Sequence, residues 1–212
     1  MRYEAVYDIS VLLGVEDIDY PGTPPYSREL IYSLKNGDTS NLSRLVMSTH
    51  SGTHLDAPSH FIPNGKNIDE YPAKAFILPA QVVPIEDKEI IRPSELEKLD
   101  TGAGDALLFK TNNSISGRSI SGEFWKSFVY LSPEAADFCV RRKLSLVGID
   151  YNTIEPCSAG PFPVHEKLLY SSILILESIN LREVPPGRYT LFCLPLKMKD
   201  AEASPVRAIL IR

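Results

Sequence analysis

The apolar positions of this chain fall in short runs separated by proline, glycine and polar residues. That pattern predicts many strands and few long helices. Residues 7–15 read as a strand and loop, followed by the turn-rich stretch DIDYPGTPPYS. NLSRLVM at 41–47 predicts a strand leading straight into a cluster of histidines. LPAQVVPI at 78–85 predicts another, which Pro84 places at an edge or an end. ALLFK at 106–110 reads as a compact buried strand, and LSLVGI at 144–149 as a strand ending at Asp150. Residues 173–176, 189–194 and 207–211 supply three more.

Two helices stand out among these strands. A short one is expected at 93–99, where Arg92 and Pro93 precede an S-E-L-E start. The other opens at Ser132-Pro133-Glu134-Ala135, a capping hydroxyl, a proline at the first helical position and then an acid. It should run to about Lys143, with Ala136, Cys139 and Val140 on one face. No repeat or linker-like tract divides the chain, so the expectation is an α/β fold, a single mixed-sheet domain over residues 1–212 with its strand order open.

Composition narrows the function classes. The 17 prolines against three methionines argue against a helical bundle. The 27 acidic side chains outnumber 22 basic ones for a net charge of −5, and no stretch concentrates Lys and Arg, so no nucleic-acid partner is expected. Apolar runs are too short to span a bilayer, so no membrane partner is expected either. MRYEAVYDIS lacks the marks of a secretory signal. Cys139, Cys157 and Cys193 have no metal-type spacing and form no disulfide scaffold, so a reducing, cytoplasmic setting is expected.

Three of the four histidines fall within eleven residues, HSGTHLDAPSH at 50–60. Gly52 and Pro58 make a continuous helix there poor, whereas an extended segment would turn His54 and Asp56 to the same side. Bends at Gly52 and Pro58 would then let His50 and His60 approach the same point. Imidazoles and a carboxylate converging on a pocket suit zinc or manganese, and a cation there would relieve the crowding of so many polar groups. Further ligands could come from His165, behind the loop CSAGPFPVH, and from Glu177 at the end of SSILILE. On spacing alone, His60 could be a ligand and His50 a base, or the reverse.

The 50–60 string resembles the H-x-G-T-H-x-D-x-P-x-H signature of the metal-dependent cyclase-like hydrolases, a family that includes bacterial kynurenine formamidases and isatin hydrolases. Tyr20-Pro21-Gly22, Ser132-Pro-Glu-Ala-Ala136, Val147-Gly-Ile-Asp150, the pair His165 and Glu177, Pro195-Leu-Lys and Ser204-Pro-Val-Arg207 are similar to other segments of that family, so the resemblance spans essentially the whole chain. It implies one or two divalent ions, zinc or manganese, held by His50, His54, Asp56, His165 and Glu177, with Asp56 placed to bridge two ions. It assigns His60 to general acid/base duty and Tyr20 to the wall of the substrate pocket. It also implies a swivelling β/β/α fold assembled as a homodimer.

The expected activity is metal-dependent hydrolysis of a C–N amide or formamide bond in a small molecule, arylformamidase-like. A bound ion would activate a water while His60 moves protons between that water and the leaving group. The loop Tyr151-Asn-Thr-Ile-Glu155-Pro156 departs from the D-[ST]-x-S-x-D-like stretch of formamidases, and Tyr20 stands where they commonly carry tryptophan. A lactone or cyclic amide is therefore an equally good substrate, and a non-catalytic metal-binding protein is the reading from another class. Cys157, eight residues before His165, lacks the setting of a nucleophile. Asp150 should either orient a metal-binding histidine or hydrogen-bond nearby backbone.

Overall fold

A computed structural model describes residues 4–156 and 160–212. Its strands are β1 (Val6–Asp8), β2 (Ser27–Tyr32), β3 (Leu42–Val46), β4 (His54–Asp56), β5 (Ile77–Pro84), β6 (Ile90–Ile91) and β7 (Ala106–Lys110). They continue with β8 (Tyr130–Leu131), β9 (Leu146–Ile149), β10 (Leu174–Glu177), β11 (Gly187–Phe192), β12 (Ala203–Pro205) and β13 (Ile209–Ile211). The α-helices are α1 (Pro93–Leu96), α2 (Asn112–Ile115), α3 (Pro133–Arg141) and α4 (Pro163–Tyr170).

Nine strands form one mixed sheet in the order β1-β13-β11-β5-β7-β9-β10-β4-β12. The run β5-β7-β9-β10 is parallel and both flanks are antiparallel. A parallel core is buried on both faces, which explains why ALLFK, LVGI and LILE are nearly unbroken apolar runs. Alternate residues then serve different cores. Leu107, Phe109, Val147, Ile149 and Ile175 face a core shared with Ala135, Phe138 and Cys139 of α3 and with Val164 and Leu168 of α4. Leu108, Leu146, Leu174 and Leu176 face a second core that also takes Leu55, Leu191 and Leu210 from the flanking strands. The sheet therefore curls over its second face, while helices cover the first, a mixed α/β arrangement. Gly148 is glycine for packing, since a Cβ there would lie 2.4 Å from Leu108 Cδ2.

Most predicted strands are present, and Pro84 is the last residue of its strand in the sheet interior. Ser132 caps α3 as expected, its hydroxyl accepting the Ala135 N–H at 3.1 Å. Three expectations change. The helix at 93–99 is a single turn, α1. The strand at 41–47 joins β2 in a separate two-stranded hairpin whose β2 residues are all exposed. His165 lies on a helix, α4, where the proline-rich approach had suggested only a loop. Among the described residues no helix is long and apolar enough to cross a membrane.

Candidate active site

The 50–60 segment bends where its glycine and proline lie. Gly52 adopts φ +61°, a left-handed conformation open to glycine, and its carbonyl accepts a hydrogen bond from His54 Nδ1 at 2.8 Å. Thr53 pins the bend: its hydroxyl donates to the Ser178 carbonyl at 2.5 Å and accepts the Val11 N–H at 3.0 Å. The chain then runs extended through β4, so His54 and Asp56 share a side while Leu55 points into the core. Pro58 begins a 3-10 turn that ends at His60 and returns that ring to the cluster. Gly65 lets the following loop fold back, since a Cβ there would lie 2.6 Å from the Pro58 carbonyl carbon.

Sheet register delivers the distant residues. β10 pairs antiparallel with β4, setting Glu177 opposite His54 and Ile175 opposite Asp56. α4 packs Leu168 and Leu169 into the core and turns His165 toward the same point. His165 Nε2 lies 3.3 Å from Glu177 Oε1 and 3.9 Å from Asp56 Oδ2. His54 Nε2 lies 3.4 Å from Asp56 Oδ1 and 3.5 Å from Glu177 Oε2. His50 Nδ1 lies 2.9 Å from Asp56 Oδ1. All five residues expected as ligands thus meet around Asp56.

Their electrostatics are strained without a cation. Both Asp56 oxygens and His54 Nε2 are buried, and although imidazole nitrogens lie as near as 2.9 Å to Asp56 none is aligned for a hydrogen bond. Such groups are costly to leave unpaired, and a divalent ion satisfies both kinds at once. Two sets of candidate ligand atoms lie within 4.8 Å of one another, His54–Asp56–Glu177 and His50–Asp56–His60, and both use Asp56. Burial pushes the His54 ring down, but the Asp56 and Glu177 carboxylates outweigh it and lift the value to about 10. His165 follows the same logic, with Glu155 and Glu177 lifting it to about 10. Burial opposes ionisation of Asp56, yet His50 and His54 hold its carboxyl well below the usual range.

His60 differs from the other three histidines. Burial pushes its ring below the ordinary value, with the positive fields of His50 and His165 adding to that and Asp56 opposing. No hydrogen bond holds its ring among the described residues; its recorded contacts are with the rings of His50 (4.2 Å between centroids), Phe61 (4.4 Å) and His165 (6.2 Å). It lines a cavity of about 230 Å³ with Tyr20, Phe61, Phe162, Asn152 and Thr153. Tyr20 is therefore at the pocket wall, its ring edge-on to Phe124 at 5.8 Å.

Two acidic residues at the site carried no sequence signal of their own. Glu155 Oε1 accepts from His165 Nδ1 at 2.6 Å, and Glu202 Oε1 lies 3.5 Å from His50 Nε2. Contact with His50 holds Glu202 down at about 2. Asp150 contacts no histidine: its oxygens accept from the Thr111 N–H and hydroxyl at 2.8 and 2.7 Å and from the Ser114 N–H at 3.1 Å. Of its two expected roles, backbone anchoring is the one present. Cys157 lies outside the described residues, while Cys139 and Cys193 are buried free thiols.

The chain is 33% identical over 210 residues to a kynurenine formamidase of Bacillus anthracis, covering 99% of each chain. It is 38% identical over 179 residues to a kynurenine formamidase of Salinibacter ruber, covering 83% of each. A structure described as a "predicted metal-dependent hydrolase" from Bacillus stearothermophilus superposes with a TM-score of 0.83 at 29% identity, over 98% of both chains. An isatin hydrolase bound to the product analogue thioisatinate shares the fold, with a TM-score of 0.82 at 23% identity over 98% of this chain and 92% of that one. The Cyclase family model matches residues 7–156, which takes in the histidine stretch, three of the four parallel strands and the loop that ends at Glu155 and Pro156. With its signature folded around one buried aspartate, the family model matching residues 7–156 and relatives matching over 83 to 99% of the chain, this chain belongs to the Cyclase family.

Proposed function

We propose that this chain, acting as one domain over residues 1–212, is a metal-dependent hydrolase of a small acyl compound, with a C–N amide or formamide bond as the preferred target. The unaligned Asp56 oxygens and His54 Nε2 carry this reading, because buried carboxylates and imidazoles converging with their ligand atoms within reach of one another are a cation site by their chemistry. His50, His54, Asp56, His165 and Glu177 would hold one or two ions, zinc or manganese, with Asp56 shared. A divalent ion held there supplies a Lewis acid that brings the pKa of water from about 15.7 toward about 7 and polarises a carbonyl.

The chain's own residues supply the rest. His60 faces the cavity, and burial keeps its ring neutral near pH 7, so it can take a proton from the attacking water and return it to the leaving nitrogen. An amine leaves poorly unless protonated, which is why an unanchored imidazole belongs beside the ligands. Tyr20, Phe61 and Phe162 form aromatic walls, and about 230 Å³ suits a compact ring-bearing substrate, below the roughly 300–1,000 Å³ typical of drug-sized ligands. The relatives named kynurenine formamidase support a formamide, N-formylkynurenine among them.

A second reading has one observation in its favour: His60 lies within ligand reach of His50 and Asp56, so it could complete a second ion site. Turnover of N-formylkynurenine, isatin and simple lactones by protein reloaded with zinc or manganese tests the main reading. Turnover of none, together with unfolding by EDTA, would leave a structural metal protein. Homodimerisation and a cytoplasmic location are part of the same proposal. The exposed Leu30, Ile31, Leu42, Leu45 and Val46 of the β2–β3 hairpin offer an apolar surface that a second copy would cover. Sedimentation of the purified chain as a monomer at micromolar concentration would remove the dimer.

A further inference from the structure

The three histidines expected as ligands are each anchored by a different partner on the ring nitrogen away from the cluster centre. His54 Nδ1 bonds the Gly52 carbonyl, His50 Nε2 faces the half-exposed Glu202, and His165 Nδ1 bonds Glu155, which is 1% exposed. Glu155 thus supplies the one fully buried carboxylate among these anchors.

Its surroundings explain why it is there. Glu155 Oε1 also accepts the His165 backbone N–H at 2.9 Å, and Oε2 accepts the Val164 N–H at 3.0 Å. These are first-turn donors of α4, whose opening Phe162 and Pro163 can provide no capping side chain. Both oxygens therefore face N–H groups that can only donate, and the His165 proton has to sit on Nδ1. Nε2 is then the nitrogen directed at Glu177 and Asp56, and the one a cation would take. The neighbouring Ile154 N–H donates to Glu177 Oε1 at 2.7 Å, so this short loop grips both distant members of the cluster.

We propose that Glu155 is the positioning residue of the distant half of the centre: it fixes His165 with Nδ1 protonated and Nε2 turned inward, and so sets how tightly the site holds a divalent cation. The inference rests on the metal reading above. Its action runs through His165, and capping of α4 is a separate consequence of the same carboxylate.

Two measurements on the full chain test it. Zinc affinity by chelator competition should weaken roughly 10- to 100-fold in E155Q, the usual effect of losing such an outer carboxylate. In zinc-loaded wild type, long-range proton–nitrogen NMR should show the His165 ring protonated at Nδ1 and coordinated through Nε2. Unchanged zinc affinity in a folded E155Q overturns the inference, and so does coordination through Nδ1 in wild type. If E155Q does not fold, the wild-type spectrum alone decides. Wild type that binds zinc and manganese no better than H54A/D56A overturns the metal reading itself and this inference with it.

Discussion

The near and far halves of the cluster reach one point by opposite routes. His50, His54, Asp56 and His60 are presented by eleven consecutive residues, through a left-handed glycine, a three-residue strand and a 3-10 turn. His165 and Glu177 arrive only because β10 pairs in register with β4 and α4 docks on the parallel core. Short-range closure is entropically inexpensive and hard to undo piecemeal, whereas the far half depends on packing accumulated across the fold. The near half should thus behave as a unit under mutation, and the far half should be adjustable.

The sharpest break in that contrast lies at Asp56, the near-half residue that the far half's His165 also faces. Asp56→Ala should abolish measurable turnover and weaken cation binding by roughly a thousandfold, since stranding one side of a buried charge pair costs about 3–5 kcal/mol. Elemental analysis that finds wild-type metal content in the variant would refute the shared role. His60→Ala comes next, with turnover expected to fall about 10²- to 10⁴-fold while metal content holds. Loss of metal from that variant would move His60 among the ligands.

Proton linkage gives a smaller and more graded effect. With His54 and His165 at about 10, both rings carry protons at pH 7 in the metal-free chain, and coordination must expel them. Titration calorimetry in buffers of different ionisation heat should therefore show release of about two protons near pH 7. Affinity should rise with pH toward 10 and then level. The metal-free fold should move the other way. Values raised above the ordinary 6.5 contribute stability fully below pH 6.5, and that stability is lost as pH rises through 10. Release of no protons would mean the rings are already neutral.

The smallest effect expected is from Gly52→Ala. It sets a Cβ 2.5 Å from Leu13 Cδ2 at a φ that L-residues rarely adopt, for a cost of about 1–3 kcal/mol. A melting temperature lowered by about 2–10 °C is the expected reading. An unchanged melting point would show that the bend tolerates a side chain and that Leu13 moves aside.

The near half was legible because its chemistry and its bends are written in one short string. The parallel strands were legible too, since burial on both faces leaves continuous apolar runs such as ALLFK. The far ligands could only be named as candidates from their residue types and were assigned through family resemblance; period and spacing alone say nothing about which strand lies beside β4. The helix around His165 was hidden by the prolines before it, although Val164, Leu168 and Leu169 line its buried side. Glu155 and Glu202 were obscure for the same reason as the register. Each gains meaning from a histidine 10 or 152 residues distant in the chain.

Strand β4 is not a loop laid over the sheet but one of its inner members, with β10 on one side and β12 on the other. The amides that carry His54 and Asp56 are thereby tied into backbone ladders that open only when the sheet itself comes apart. Two of the residues that carry the chemistry are thus held in a strand laddered on both sides, so adaptation to a substrate falls to the aromatic wall around them.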